Sequence, residues 1–276
     1  MENDSNINKR KDIQIYILSH KKENFIIDNS LFTPIEVGSY YNNKNPIYNL
    51  RDNDYLDNIS YLNPIFLEQT GTYYILKHLL KDQKYIGVNQ HRRIFDFNEN
   101  TNFDEIFSKY KVILHKDYLY WAAPVERHYN LFHNIEDLVE LENIINDKFQ
   151  NYKDSFEKLK KLNWIYTNCC IITTKEIFKD YFNFYFNISW EFIKRKNLYT
   201  IDNIYNYGKY IVEKYKSVNS KNRKHNYKYQ SRILGYLQER IMTLYIINNF
   251  KDSEILLKSY KDISNKESKY DFESIY

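Results

Sequence analysis

Short apolar runs alternate along this chain with longer stretches of helical periodicity, and this alternation limits the folds that the chain can adopt. Residues 13–18 form the clearest run, which is rich in isoleucine and is followed at once by Ser19, His20 and Lys21. A short run that is apolar at nearly every position is typical of a strand buried on both faces, as in a parallel sheet. The pattern therefore predicts a three-layer α/β domain with a mostly parallel central sheet.

The same patterns predict where the other elements lie. Pro64 suits the first turn of a helix, Asn134 is expected to cap another, and Thr173 and Glu176 have the spacing of a capping box. The remaining predicted strands cover residues 35–38, 84–89, 111–114 and 164–172, and the predicted helices cover residues 64–81, 134–149, 152–162, the stretch from 173 onward and 231–248.

Two long segments carry no clear period. Residues 41–63 are rich in Asn and Asp and are predicted to be a loop, and residues 199–229 a long loop or weak helix. We expect a single domain over residues 1–260, followed by a charged and frayed tail over residues 261–276.

Composition and charge exclude several classes of protein. The 40 basic and 36 acidic residues leave a net charge of +4, short of a dedicated nucleic-acid binder, so no nucleic-acid partner is expected. No apolar run approaches the roughly 18–20 residues of a membrane-spanning helix, and the polar N-terminus does not resemble a secretory signal. Cys169 and Cys170 are adjacent and cannot form a disulfide framework, which fits a reducing, cytoplasmic location.

Two polar clusters follow predicted strands, namely Ser19-His20-Lys21 and Gln90-His91-Arg92-Arg93. A third, Thr167-Asn168, lies within the predicted strand over residues 164–172 and is inferred to reach the same edge of the sheet. In sheets of this kind, ligands bind at the carboxyl ends of the strands. Adjacent arginines at such a place suit a diphosphate, because guanidinium groups bind phosphate oxygens in pairs and stay charged. The alternative is that Arg92 and Arg93 form salt bridges with helix carboxylates.

Glu239 is the candidate catalytic carboxylate. It borders the apolar face of the last predicted helix, where burial would raise its pKa and suit it to act as a general base. The alternative is a Glu239–Arg240 pair that locks the helix to the sheet. Asp52-Asn53-Asp54 has the Asp-x-Asp form of a cation site, but no apolar strand precedes it, so it is interpreted as surface loop. Histidine spacings for zinc, P-loops and dinucleotide-binding glycine motifs are absent from the sequence.

Six segments in order resemble one known family. They are IYILSHK at 15–21, DNIS with NP at 57–64, ExTGxYY at 68–74, YIGVNQHRR at 85–93, HNIEDL at 133–138 and RxxGYLxER at 232–240. The chain resembles the bacterial capsular and exopolysaccharide glycosyltransferases first catalogued as a domain of unknown function, which include galactofuranosyltransferases. Aligned on the two arginines, His91 takes the place of a tyrosine in the family's usual His-Tyr-Arg-Arg.

The resemblance implies a GT-A-like nucleotide-sugar-binding fold. It implies transfer from a nucleotide-diphosphate donor, expected to be a UDP-sugar, to a saccharide or lipid-linked saccharide in capsule, O-antigen or exopolysaccharide synthesis. We expect the transfer to invert the anomeric centre; the alternatives are a retaining transferase and an inactive relative. Glu239 would be the base, Ser19, His20, Lys21, His91, Arg92 and Arg93 would hold the donor, and Asp57, Asn58, Glu68, Tyr73, Tyr74, His133, Asn168 and Arg240 would contact the sugar or the acceptor.

The same resemblance bears on cofactors and partners. No metal ligands are assigned: Mn²⁺ or Mg²⁺ is compatible with the chemistry, but no Asp-x-Asp follows the strand before Arg92, where fixed arginine charges could replace a metal. Peripheral contact with the inner membrane surface is compatible with the charge. The alternative function is a non-catalytic module that binds polysaccharide or RNA through a surface rich in Tyr and Lys.

Overall fold

A computed structural model describes residues 10–22, 31–42, 44–116, 118–120, 122–216 and 226–262. Within them a sheet of eight strands forms the centre of the fold, and six of those strands run in the same direction, as predicted. The eight are β1 (Ile13–Ser19), β2 (Phe32–Glu36), β3 (Tyr85–Gln90), β4 (Arg93–Phe95), β5 (Val112–His115), β8 (Ile171–Thr174), β9 (Ile255–Lys258) and β10 (Tyr260–Asp262); β6 (Tyr118–Tyr120) and β7 (Trp164–Tyr166) form a separate pair.

The order and direction of the strands place the predicted ligand edge. Parallel β2, β1 and β3 lie side by side, antiparallel β8 separates β3 from β5, and β9 lies parallel to β5 at the far side. The short strand β4 turns back antiparallel from the end of β3, and β10 pairs with it. The polar ends of β1 and β3 therefore meet at one edge.

Both faces of the sheet are covered, which gives the predicted three layers. Along β1, Ile15 and Ile17 pack into a smaller cluster with Phe103 and Phe107, whereas Leu18 and Tyr16 on the other face pack into the larger cluster. The helices are α1 (Asn63–Phe66), α2 (Gln69–Tyr74), α3 (Phe103–Lys109), α4 (Val125–Phe132), α5 (Ile135–Lys148), α6 (Lys153–Lys161), α7 (Lys175–Lys196), α8 (Ile201–Lys214), α9 (Tyr227–Gln230) and α10 (Ile233–Asn249).

Several short segments complete these elements. Residues 75–79 continue α2 as a π-helical turn, and 3₁₀ turns cover residues 39–42, 60–62, 150–152 and 252–254. The predicted capping box is displaced by one residue, since the Thr174 hydroxyl caps α7 by accepting the Ile177 N–H.

For residues 199–229, the structure confirms the helical alternative over the first half, because α8 occupies residues 201–214. Ile204, Gly208 and Ile211 of this helix are buried. Tyr, Asn and Lys fill most of its other positions, so the apolar period is hard to detect in the sequence. Residues 217–225 lie outside the described residues, as does the predicted tail from residue 263; Lys261 and Asp262 belong to β10.

The predicted strand over residues 164–172 is interrupted, and the interruption creates part of the site. β7 ends at Tyr166 and β8 begins at Ile171, with Asn168 (φ 66°) and Cys169 (φ 49°) both in the left-handed region. Asparagine tolerates this conformation better than most residues, whereas cysteine does so only at some cost. The turn projects Asn168 toward the edge where β3 ends.

The predicted helix over residues 64–81 is also broken, at Leu67. Leu67 has a φ of 55° and separates α1 from α2. Gly235 of α10 makes this corner possible, since a Cβ atom there would lie 2.3 Å from Leu67 Cδ1. The close approach brings α10 against the residues that precede Glu68.

Asp52 corrects the interpretation of Asp52-Asn53-Asp54 as surface loop. Its side chain is fully buried (0% exposed) and accepts five hydrogen bonds. Oδ1 accepts from the Ser39 N–H (3.1 Å), the Ser39 hydroxyl (2.5 Å) and the Ser60 hydroxyl (2.6 Å), and Oδ2 from the Gly38 N–H (2.7 Å) and the Thr70 hydroxyl (2.6 Å). One carboxylate thus joins the exit of β2, the loop before α1, and α2.

Replacing Asp52 with Asn tests this arrangement. Each carboxylate oxygen accepts one backbone N–H, so the amide NH₂ of Asp52→Asn must face a backbone donor in either flip. We expect a loss of roughly 2–3 kcal/mol in the free energy of unfolding, measured by urea denaturation. The matched control is Asp82→Asn, which alters an exposed aspartate. Equal midpoints for the two variants would contradict the role given to Asp52.

Candidate active site

The ends of β1 and β3 bring two histidines into contact. Leu18 pairs with Gln90 in the parallel register, so the residues that follow them emerge side by side. The rings of His20 and His91 meet edge to face, with centroids 4.9 Å apart. Ser19 is fully buried and donates its hydroxyl to the Lys21 carbonyl (2.7 Å), which closes the turn after β1.

Positive charge surrounds these two histidines. Burial, together with the charges of Lys21, Arg92 and Arg232, lowers the pKa of His20 to about 4. Burial also lowers the pKa of His91 to about 3, with contributions from His20, Arg92, Lys21 and Arg93. Both rings are therefore neutral near pH 7. In the part of the chain that the structure describes, neither Lys21 nor Arg92 forms a salt bridge, so their charge is available to an anion.

Arg93 links this cationic edge to the candidate base. Its guanidinium donates to Asn168 Oδ1, and the backbone N–H of Asn168 donates to Glu239 Oε1 (3.1 Å). Cys170 holds the same turn to β3: its sulfur accepts the Gln90 N–H (3.2 Å) and donates to the Asn168 carbonyl (3.3 Å). The two cysteines are buried free thiols, as the apolar pattern around them predicts.

Glu239 has both features that the sequence offered as alternatives, namely a raised pKa and an ion pair with Arg240. Burial raises its pKa above the ordinary range; Arg240, the Asn168 N–H and Arg93 oppose that shift, whereas Glu68 adds to it. Its Oε2 pairs with Arg240 Nη1 at 3.2 Å. Glu239 is surrounded by protein yet 25% exposed, and we refer to this partly exposed region around its carboxylate as the cleft.

Arg240 holds the carboxylate of Glu239 from the buried side of α10. Its side chain is only 3% exposed, donates to the Tyr236 carbonyl (2.8 Å) and lies over the ring of Tyr129, 5.3 Å from its centroid. His133 stacks on Tyr236 with a centroid separation of 3.9 Å and is itself buried. These contacts hold the C-terminal end of α4 against the helix that carries Glu239.

Glu68 is a second carboxylate in the same cleft. Its Oε1 accepts from the side-chain amides of Gln90 (2.9 Å) and Gln238 (2.8 Å). Gln90 comes from the end of β3 and Gln238 from α10, so the carboxylate is fixed between the sheet edge and the helix. Glu68 also contributes to the raised pKa of Glu239, so the two carboxylates are close enough to interact electrostatically.

A separate group of predicted residues lies on the loop before α1 and on α2. Tyr73 donates its hydroxyl to Asp57 Oδ1 (2.9 Å), and Asn58 donates to the Tyr55 carbonyl (2.7 Å). Tyr74 is 1% exposed and belongs to the core, with its hydroxyl on Asp54. The bonds described for these residues run within their own segment rather than to Glu239 or Arg93.

Gln90, Gln238 and Arg232 belong to the site but were not assigned a role from the sequence. All three lie inside segments that carry the family resemblance, and Arg232 and Glu239 are seven residues apart, which places them on one helical face. Their position in those segments was the one feature of the sequence that could have identified them as site residues. The two glutamines act only by holding Glu68, and nothing in their own chemistry distinguishes them from other glutamines.

Arginine and lysine, rather than ligands for a divalent cation, dominate this edge beside the histidine pair. Cations bind oxygen, nitrogen or sulfur ligands that carry negative charge or lone pairs, whereas arginine and lysine supply donors only. The described residues contain no group of three or more His, Cys, Asp and Glu that could hold a metal ion.

Comparison with known proteins places the chain in a family. Residues 14–206 match the family model described as Domain of unknown function (DUF4422), over 193 of the 276 residues. The chain belongs to the DUF4422 family. The match covers β1, β3, the Asn168 turn and α7, but ends before the helix that carries Glu239 in this DUF4422 chain.

A solved structure has the same fold. The DUF4422 chain is similar to the apo structure of WbbM, a bifunctional glycosyltransferase, with a TM-score of 0.69 and 19% sequence identity. The alignment covers 92% of this chain and 45% of WbbM, so the chain spans less than half the length of that protein. This likeness confirms the predicted fold class.

No curated protein matches the DUF4422 chain. Among the helices that the structure describes, none combines the length and the apolar character needed to cross a membrane.

Removing Arg92 tests the electrostatics of the edge. Arg92 lowers the pKa of both His20 and His91, so Arg92→Ala should move both imidazole titrations upward by roughly half a pH unit or more. An NMR titration of the histidine rings measures the shift. Arg127→Ala, which removes an exposed arginine of α4, is the control and should leave both midpoints in place. Unchanged midpoints in Arg92→Ala would show that the positive charge of Arg92 does not act on the two histidines.

Proposed function

We propose that the chain is a glycosyltransferase that moves a sugar from a nucleotide-diphosphate donor, best a UDP-sugar, to a saccharide or lipid-linked saccharide. The observation that carries the proposal is the cationic edge beside a cleft carboxylate. Lys21, Arg92 and Arg93 lie at the ends of two adjacent parallel strands, and Arg93 is joined to Glu239 through Asn168. The fold shared with WbbM, whose name describes a bifunctional glycosyltransferase, supports the same class of reaction.

The diphosphate of the donor would lie between the ends of β1 and β3. Arg92 and Arg93 would bind its oxygens in bidentate fashion, and Lys21 and Arg232 would add charge from the facing loop and helix. When the glycosidic bond breaks, negative charge grows on the leaving diphosphate, and these fixed cations would stabilise it in place. His20 and His91, being neutral, could donate one N–H each without adding charge.

The reaction we propose inverts the anomeric centre. Glu239 takes the proton from an acceptor hydroxyl, the oxygen forms a bond to the anomeric carbon, and the bond to the diphosphate breaks on the opposite side. The raised pKa makes Glu239 a stronger base than an ordinary carboxylate. The Asn168 N–H and Arg240 each bind one of its oxygens and hold the carboxylate in one orientation.

The remaining residues have supporting roles. Glu68, held by Gln90 and Gln238, is well placed to accept hydrogen bonds from sugar hydroxyls. Asn168 acts by joining Arg93 to Glu239. Asp57, Asn58, Tyr73 and His133 are assigned to the walls of the acceptor region, where Tyr74 and Arg240 contribute from the core.

Binding of UDP is the direct test of the donor site. We expect UDP to bind in the presence of EDTA, because arginine and lysine supply the positive charge, and to raise the pKa of His20 and His91 by adding negative charge beside them. Arg92→Ala should weaken binding about tenfold or more, measured by calorimetry, and Arg127→Ala should not. Absence of UDP binding, together with salt-sensitive binding of single-stranded RNA, would favour the non-catalytic module instead.

Glu239→Gln tests the base. Since the base must be ionised, turnover should fall as the pH decreases through the raised pKa of Glu239, and the glutamine variant should lack this dependence. We expect turnover to drop about 10²–10⁴-fold, measured as UDP release from a panel of UDP-sugars with simple glycosides as acceptors. UDP affinity should stay within twofold. Glu126→Gln, an exposed change on α4, is the control. Full turnover by Glu239→Gln would remove it from the mechanism.

A further inference from the structure

A second cavity lies apart from the Glu239 cleft, between the second half of α7 and the C-terminal end of α5. Its volume is about 460 Å³, within the range of small-ligand sites. Three aromatic side chains line it: Phe149, Trp190 and Tyr199. It shares no residue with the cleft, so whatever it binds is additional to the donor and the base.

The aromatic side chains of this cavity are held by the core behind them. Trp190 packs against buried Phe66 with ring centroids 5.4 Å apart, and Phe149 packs edge to face on Phe184 at 5.2 Å. Asn197, with a φ of 54°, ends α7 in a left-handed turn, after which Leu198 is buried and Tyr199 remains 49% exposed at the rim. Fixed aromatic faces lose little conformational entropy when they bind a ligand.

Polar groups of both signs surround these rings. Asn187, Trp190, Glu191 and Lys194 are spaced i, i+3, i+4 and i+7 along α7, so they share one helical face. The Glu191 carboxylate pairs with Lys148 Nζ at 2.6 Å and with Arg195 Nε at 2.9 Å, which fixes its position. The cavity therefore offers an amide, a carboxylate and ammonium groups around an apolar floor.

We propose that this cavity is a saccharide-binding site for one or two rings of a neutral glycan. A sugar ring has an apolar C–H face, which packs on aromatic rings, and a rim of hydroxyls, which needs both donors and acceptors. The cavity supplies both. A phosphate-rich ligand would compete with Glu191 for Lys148. An acyl chain would bury the Lys148–Glu191 pair and offer no hydrogen bonds in place of the water that it displaces.

The position of the cavity connects it with the cleft. Trp190 lies against Phe66 in α1, and Glu68 of the cleft follows Phe66 by two residues. α1 therefore extends from the side chain behind Trp190 to the corner that carries Glu68. Binding of a glycan in the cavity does not depend on the transfer chemistry.

The test is saturation-transfer NMR on the full chain, with the methyl glycosides of galactose, glucose, N-acetylglucosamine, mannose and rhamnose as probes. We expect at least one glycoside to bind, and Tyr199→Ala to reduce its signal at least fivefold. Trp190→Phe, which keeps an aromatic ring against Phe66, should reduce it less. The matched control is Tyr210→Ala, since Tyr210 of α8 is 47% exposed, close to the value for Tyr199.

UDP affinity, measured on the same samples, separates this site from the proposed transfer reaction. It should be unchanged in Tyr199→Ala, and if UDP fails to bind the wild type while the glycoside result holds, the saccharide site stands and the transferase proposal falls. Equal glycoside signals in wild type and Tyr199→Ala would overturn the saccharide site, as would no signal from any glycoside. Binding to anionic phospholipid vesicles that Tyr199→Ala abolishes, without a glycoside signal, would assign the face to a lipid surface and overturn it too.

Discussion

The buried carboxylate of Asp52 is the constraint on which the cleft depends. It gathers donors from the exit of β2, from the loop before α1 and from α2, three segments with little regular structure between them. Buried loop backbone needs hydrogen-bond partners, and here one side chain supplies them. Thr70, one of its donors, lies two residues after Glu68, so the same contact fixes the corner that delivers the second carboxylate to the cleft.

The cationic edge is held at a cost to stability in the absence of an anion. Lys21, Arg92, Arg93 and Arg232 act on two histidines that burial and charge keep neutral. Like charges brought together destabilise a fold, and a ligand that neutralises them restores that stability by binding the folded state. Binding of a diphosphate would also affect the base. Arg93, which would bind the diphosphate, is hydrogen-bonded to Asn168, and the N–H of Asn168 orients the carboxylate of Glu239.

Much of the fold follows from local pattern, and the failures have physical causes. β1, β3, α5, α6 and α10 lie within two residues of their predicted limits, because uninterrupted apolar runs and clear helical periods define them. The Asn168 turn was missed because the residues on both sides are apolar enough to extend one strand. The sequence left α8 open between a loop and a weak helix because tyrosines occupy positions where aliphatic residues would have marked a helical period. Burial of Asp52 was missed because its partners are scattered from Gly38 to Thr70.

For the site, the sequence by itself determined which polar groups stand at the ends of β1 and β3, since parallel strands that are apolar throughout must expose their polar residues where they end. It also marked Glu239 at the border of an apolar helical face. Only the tertiary structure decided that Arg93, Asn168 and Glu239 form one chain and that Gln90 and Gln238 share Glu68. Those contacts join segments far apart in sequence, and they depend on a left-handed turn at Asn168 and on the close packing of Gly235 against Leu67, neither of which a local period records.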